Sequence, residues 1–388
     1  MAVAYPGGIW YSYIIMKALV FNKENNNWEN TKGFELADVP EPVLDEAQNP
    51  ADAGAVVIKM KYAGVCGSDR GLWNRTAFRD LVHDSLGREQ KNTRILGHEF
   101  LGEIVQTGSK VENVAVGDMV SGDSHITCGE CYQCRIGENN VCTNELILGI
   151  STNGIFAEQV KIPAKNLWKV DVERIRPEIA AIFDPFGNAV HAISKFDAKG
   201  KTVAVFGCGP IGLFAVALLK HFGARQIIAV DVNAENLEMA VKLGANSMVQ
   251  IAEGVNVAEE IMKLTAGVGV DVSMEMAGPF SSVNNCLEST RRGGHIILFG
   301  VKDGDFTIAK FSRLITKGFT IHGVIGRRIF ETWQAADVVL SNTSSGVAEN
   351  IWKVILKEGN GTILSFQEYT KEGFEKAMNE NPKIILKF

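Results

Sequence analysis

The sequence predicts an α/β protein of two domains, a β-rich domain interrupted by a doubly wound parallel-sheet domain. Three observations carry that reading. The chain has 388 residues, more than the roughly 250–300 that one hydrophobic core organises. Up to about residue 182 the apolar pattern is that of strands, with weak helical periodicity. From Asp184 onward, short buried-strand and helix patterns alternate, which demands a parallel sheet with helices on both faces. The predicted bounds are 16–183 with 335–388 for the β-rich domain and 184–334 for the other, leaving 1–15 as an extension of unknown role.

The elements follow in order. "MAVAYPGGIWYSYII" is apolar but lacks a basic start and a small-residue cleavage site, so it does not read as a signal peptide. "KALVF", "AVVIKMKYAGV", "FLGEIVQTG" and "GDMVSG" read as strands between Gly, Asp and Asn turns. Segment 74–94 is polar and lacks strand alternation, predicting a mobile loop or a short helix. In the second domain "TVAVFG" is a buried strand, "GPIGLFAVALLKHFG" an apolar helix, "QIIAVD" a strand and "AENLEMAVKLG" a helix. "SMVQI", "VDVSMEM", "HIILFG" and "FTIHGV" supply further strands, with helices at "VAEEIMKLTAG" and "SVNNCLESTRRG". The helix "FETWQAADVVLSN" leads to a tail ending in "KIILKF", expected to return to the first domain.

Composition limits the function. Apolar residues make up 46% and charged ones 22%, as in an ordinary soluble globular protein. A formal charge of −6 and the lack of a dense Lys/Arg run argue against a nucleic-acid partner. No stretch approaches the ~20 apolar residues of a membrane span. A cytosolic enzyme acting on a small molecule is the expected class.

Cys128, Cys131, Cys134 and Cys142 form C-x2-C-x2-C-x7-C. Such short spacings let thiolates converge, and Zn²⁺ takes four soft ligands in a tetrahedron. Disulfides or unconnected buried thiols are the alternatives, and in a cytosolic enzyme the spacing favours metal. Cys208 and Cys286 read as packed thiols.

Gly207-x-Gly209-x-x-Gly212 follows a strand and opens a helix, with Pro210 and Ile211 inside the motif. Gly207 permits the tight turn, Gly209 lets backbone approach a pyrophosphate, and Gly212 lets helix and strand pack closely. Asp231 ends the next strand, where a carboxylate accepts both adenosine ribose hydroxyls and repels a 2′-phosphate. NAD is therefore favoured over NADP. Gly300 and Val301, and segment 323–327 with Val324 and Arg327, are further candidates at strand C-termini. Arg327 would reach a phosphate or a substrate carboxylate, or else be a surface arginine. The alternative to the whole site is a glycine-rich turn with no nucleotide.

Upstream lie Cys66, Ser68 and Asp69 in "AGVCGSDRGLW", then His98 and Glu99 in "ILGHEFLGEIVQTG". One thiolate, one imidazole and one or two carboxylates make an incomplete shell with an open position, the arrangement of catalytic zinc. A lone Cys or His is more often structural; the case rests on both motifs occurring beside the cysteine loop and a nucleotide fold.

These motifs together resemble the zinc-dependent medium-chain alcohol dehydrogenases, from Met16 to the C-terminus. The resemblance implies a discontinuous GroES-like domain joined to a Rossmann domain, with two zinc ions per chain and NAD. Within the superfamily, "SHITCG", "AAIFDPFGNAVHA", "FGCGPIG", "VDVNAENLEMA" and "GVIGRRIFETW" are most similar to the L-threonine 3-dehydrogenases. By position the resemblance makes Cys66 and His98 ligands of catalytic zinc and Glu99 an adjacent or exchanging ligand. It puts Asp184 where some relatives place a carboxylate ligand; Asp is shorter than their Glu, so its contact would run through water. Ser68 matches the hydroxyl that starts a proton relay. Cys128, Cys131, Cys134 and Cys142 would hold the structural zinc.

The implied reaction is hydride transfer from a secondary alcohol to NAD⁺. Gly71 departs from the pattern, since threonine dehydrogenases carry a histidine there. A polyol, sugar or cyclitol dehydrogenase is the alternative, and a non-catalytic NAD-binding sensor or structural subunit the alternative from another class. The zinc ligands and Ser68 speak against the sensor, and Cys66, His98 and the cysteine loop exclude a metal-free quinone reductase relative. The resemblance further implies a cytoplasmic homo-oligomer, a tetramer before a dimer.

Overall fold

The computed structural model describes residues 2–4, 10–12, 14–302, 304–308 and 310–388. They divide into two units, Met1–Asp184 with Asn360–Phe388, and Pro185–Gly359.

The first unit is built on the strand Ala55–Gly64. It pairs antiparallel with Glu99–Thr107 along one edge. Along the other it pairs with Gln159–Pro163 through residues 55–59 and with Ile385–Lys387 through residues 62–64. Met119–Gly122, Leu167–Lys169 and Ile363–Ser365 complete a seven-stranded sheet. Two register shifts, at Val57/Ile58 and Met60/Tyr62, bend the pairing with Glu99–Thr107. A three-stranded sheet orders Glu35–Pro40, Ile15–Asn22 and Thr93–Ile95. The core holds Leu19, Phe34, Ile58, Phe100, Ile104 and Phe156, all fully buried. Each such side chain contributes about 1.5–3 kcal/mol over its exposed state.

Segment 74–94 contains a packed helix, Arg79–Glu89, with Val82 and Leu86 in the core. Its polar composition serves a buried cation: the Arg94 guanidinium donates to Glu89 at 2.7 Å and to Ser85 at 2.9 Å. Of the extension 1–15, part lies outside the described residues; Ala2–Ala4 pairs antiparallel with Trp10–Ser12, and Ile15 already belongs to the first long strand.

The second unit has six parallel strands in the order Ser247–Gln250, Gln226–Asp231, Thr202–Phe206, Val270–Glu275, Thr290–Leu298 and Thr320–Gly323. Thr202–Phe206 is buried along its whole length, as a strand covered on both faces must be. Chain order reverses on either side of it, which opens a crevice at the strand C-termini. Helix Pro210–His221 is almost entirely buried from Gly212 to Leu219.

One boundary is corrected. The return to the first unit was expected at 335 and occurs at 360. Trp333, Ala336, Leu340, Ile351 and Ile355 are buried, and this stretch packs on helices Pro210–His221 and Ala234–Leu243. Its apolar face belongs to the parallel-sheet unit. Among the described residues no helix is long and apolar enough to cross a membrane.

Candidate functional site

Three chain segments meet at Gly64, the last residue of the central strand. Glu99 is its register partner on one side and Ile385 on the other. Cys66 lies two residues beyond Gly64, His98 immediately precedes Glu99, and Lys383 lies two residues before Ile385. A Cβ on residue 64 would stand 2.2 Å from Glu99 Oε2, so this pairing requires glycine. The ligand atoms of Cys66, His98 and Glu99 all lie within 4.8 Å of one another.

The surroundings prepare this trio for a cation. Cys66 caps the helix Gly67–Trp73, and its amide donates to Asp69 Oδ2 at 2.8 Å. Asp69 Oδ1 faces His98 Nδ1 at 3.7 Å. Ser68 Oγ lies 3.2 Å from His98 Nε2. Burial disfavours a charged imidazole, but Asp69, then Cys66, reverse that effect and raise the His98 pKa to about 10. Glu99 is fully buried; Oε2 pairs with Lys383 Nζ, which also donates to Val65 O at 3.0 Å. Glu99 Oε1 has no hydrogen-bond partner. A buried carboxylate oxygen left unsatisfied beside a thiol and an imidazole is the donor set of a zinc ion with an open position.

Asp184 stands outside this trio. It opens the helix Phe183–Ile193, and its Oδ2 accepts the Ser124 amide at 3.0 Å. The short side chain thus holds the backbone at Ser124.

The four cysteines converge as their spacing predicts. The ribbon His125–Ile126 with Leu146–Ile147 closes the base of their loop. All four thiols are free, and Cys142 Sγ lies 3.5 Å from Cys128 Sγ and 3.9 Å from Cys131 Sγ. Sulfurs on a zinc tetrahedron with bonds of about 2.3 Å stand about 3.8 Å apart, whereas a disulfide needs about 2.05 Å. Backbone amides of Cys134 and Thr143 pull the Cys131 thiol down to about 6, toward the thiolate a metal requires. Cys131→Ser, or chelation, should therefore release a metal ion and lower the melting temperature by at least about 5 °C. Thermal melts with and without chelator check this.

In the second unit Gly207 adopts φ +94°, and a Cβ there would meet Ala277 Cβ at 2.7 Å. A Cβ on Gly212 would lie 1.9 Å from Gly207 O, so helix and turn touch. At Gly209 nothing lies within 4 Å of such an atom; that space, at a helix N-terminus with Pro210 and half-exposed Ile211, suits a pyrophosphate. Asp231 Oδ2 accepts the Cys208 amide at 2.6 Å and Oδ1 the Asn233 amide at 2.8 Å. Each oxygen keeps a lone pair for a ribose hydroxyl. Gly300 and exposed Val301 follow the strand Thr290–Leu298, and buried Val324 follows Thr320–Gly323. Arg327 is not a surface arginine: it is 3% exposed and donates to Asn188 Oδ1 at 2.9 Å.

Two supporting residues went unread in the sequence. Lys383 had one signal, a lysine between Pro382 and the apolar run 384–386. Glu275 ends the strand Val270–Glu275; its Oε1 accepts the amides of Ala277 and Gly278 at 3.0 and 2.9 Å, bracing the loop against Gly207.

Residues 52–172 match the alcohol dehydrogenase GroES-like domain family, and residues 210–342 the zinc-binding dehydrogenase family. The L-threonine 3-dehydrogenase of Saccharopolyspora erythraea is 37% identical over 312 residues, 80% of this chain and 85% of that one. The Bacillus subtilis L-threonine 3-dehydrogenase is 38% identical over 317 residues, 81% and 86% of the two chains. Among solved structures, an alcohol dehydrogenase from E. coli CFT073 complexed with NADH superimposes with a TM-score of 0.76 at 25% identity, covering 96% of this chain and 99% of its own.

Proposed function

The chain belongs to the zinc-binding, GroES-like alcohol dehydrogenase family, and on that premise we propose that this NAD-dependent dehydrogenase oxidises the hydroxyl of L-threonine to the ketone of 2-amino-3-oxobutyrate. The observation that carries the reading is the buried trio Cys66, His98 and Glu99 with the Ser68 hydroxyl beside it.

Cys66, His98 and Glu99 hold the catalytic metal, and the Gly207–Gly212 turn with Asp231 holds the dinucleotide. When bound, zinc supplies a Lewis acid for the alcohol oxygen and the nicotinamide an acceptor for hydride. Ser68 Oγ accepts the alcohol proton while passing its own toward solvent. Asp69 keeps the imidazole of His98 oriented, and Lys383 holds one Glu99 oxygen in place. The same reading includes a second, structural zinc at Cys128, Cys131, Cys134 and Cys142, a cytoplasmic location, and a tetramer before a dimer.

One observation favours a polyol or sugar alcohol instead. A Cβ on Gly71 would meet Ala77 Cβ at 2.9 Å, so the position has no room for the histidine of threonine dehydrogenases. Purified enzyme assayed with L-threonine, sorbitol, other polyols and simple alcohols, each with NAD⁺ and NADP⁺, separates the readings. The threonine reading expects its highest kcat/KM with L-threonine and NAD⁺; a sugar alcohol turned over faster would replace it.

Asp231 has its own test. Charge-assisted hydrogen bonds are worth about 1.5–3 kcal/mol, so Asp231→Ala should raise the KM for NAD⁺ by about ten- to a hundredfold. The KM for NADP⁺ should fall, because the 2′-phosphate is no longer repelled. Initial rates against each cofactor measure both changes.

A further inference from the structure

The trio Cys66, His98 and Glu99 leans on a stretch of chain that supplies none of its donors. Segment 381–384 connects the helix Lys371–Glu380 to the strand Ile385–Lys387. It carries Lys383, whose ammonium pairs with Glu99 and donates to Val65 O at 3.0 Å. On its C-terminal side the segment is held by the sheet. The Val65 amide donates to Ile384 O at 3.0 Å, and Ile385 is the register partner of Gly64.

On its N-terminal side the ladder stops, and Pro382 has no amide hydrogen to extend it. Side chains hold the segment there instead. Buried Asn381 donates from Nδ2 to Gly361 O at 3.1 Å and to Ala377 O at 3.0 Å, which ties its amide to the preceding helix. The carbonyls of Asn381 and Pro382 both accept from Arg70 Nη2, at 2.6 and 3.0 Å.

Arg70 starts from the opposite side of the site. It lies in the first turn of the helix Gly67–Trp73, and its amide donates to Cys66 O at 3.2 Å. Its backbone therefore belongs to the turn that carries Cys66, Ser68 and Asp69. Its half-buried side chain reaches the segment that carries Lys383. One guanidinium nitrogen holds two hydrogens in a rigid plane, so it serves both carbonyls and fixes them relative to that turn. A charged donor makes these bonds stronger than neutral ones.

We infer that Arg70 is a positioning residue for the catalytic metal: it closes the N-terminal half of a clamp whose other half is the sheet, keeps Lys383 on Glu99, and so sets how firmly the trio retains its ion. The inference rests on the assignment of Cys66, His98 and Glu99 to zinc. Arg70 acts through Lys383. Without its guanidinium the two carbonyls turn to water, the backbone before Lys383 loosens, and the ammonium no longer has a fixed place beside Glu99.

Release of zinc from the full-length, zinc-loaded protein into a colorimetric chelator tests the clamp. Wild type should release zinc in two phases, and Cys66→Ser should abolish one of them, which assigns that phase to the trio. Arg70→Met should accelerate the assigned phase about tenfold, the scale on which partners behind metal ligands act. The phase of the cysteine loop should keep its rate. Arg70→Lys, still a cation able to donate to both carbonyls, should recover most of the difference. In the Lys383→Met background, Arg70→Met should change the rate less than about twofold, because no ammonium remains to be placed. Where Arg70→Met folds poorly, Arg70→Gln carries the same expectations. An unchanged rate, an equal acceleration of both phases, or an undiminished effect in the Lys383→Met background would each overturn the inference. Wild-type release with no Cys66-dependent phase would instead remove the assignment of the trio to zinc, and the inference with it.

Discussion

Cys66→Ser is expected to abolish turnover while leaving the fold intact. Lewis-acid stabilisation of a developing alkoxide is worth several kcal/mol, and each ~1.4 kcal/mol is a factor of ten in rate, so the loss should reach at least about 10³-fold. The thiol is partly exposed at the start of a short helix, and the core behind it is formed by Val65, Leu72 and Trp73. Removing sulfur therefore costs little packing. NADH absorbance measures the activity, and circular dichroism with a thermal melt measures the fold. A folded serine variant with full activity would remove Cys66 from the metal site. This outcome is distinct from that of Cys131→Ser, which acts on stability.

The largest stability effect belongs to Lys383. Its ammonium and the Glu99 carboxylate are both buried, at 1% and 0% side-chain exposure. Lys383→Met keeps the length and apolar stem but strands a charge, and breaking a buried pair in this way costs about 3–5 kcal/mol. Denaturant unfolding should show that loss in metal-free protein. Adding Glu99→Gln should recover part of it, because the stranded charge is gone. If the single and double variants were equally destabilised, the damage would be steric and the ion pair would not be its source.

Much of this was legible along the chain. The glycine motif could be read because Gly207, Gly209 and Gly212 act within one turn; the fold shows close contacts at Gly207 and Gly212 and open space at Gly209. The strand and helix alternation after Asp184 was equally clear, since a parallel strand buried on both faces is apolar throughout. Segment 74–94 was less so. Its polar residues left a mobile loop and a short helix both open; the fold forms the helix Arg79–Glu89 beside buried Arg94, and a buried cation looks like a solvent-facing one until its partners are known. For Arg327 the sequence left a ligand contact and a surface position both open, and the fold buries it. Residues 335–359 were expected in the tail that returns to the first domain, yet the apolar face of that stretch fits the helices of the parallel-sheet unit.

The sequence by itself determined the chemistry available: four thiols spaced for one metal, a second incomplete donor set, and a turn shaped for a pyrophosphate. These are short-range properties, set by residue type and by separations of a few positions. Only the tertiary structure decided which donors meet. Glu99 pairs with Lys383 and also joins Cys66 and His98 in one donor cluster, whereas Asp184 accepts the Ser124 amide. The first outcome depends on Glu99 and Ile385, 35 and 321 residues along the chain from Gly64, pairing with it in register, and register is fixed by the burial of a whole sheet face, which no local stretch of sequence contains.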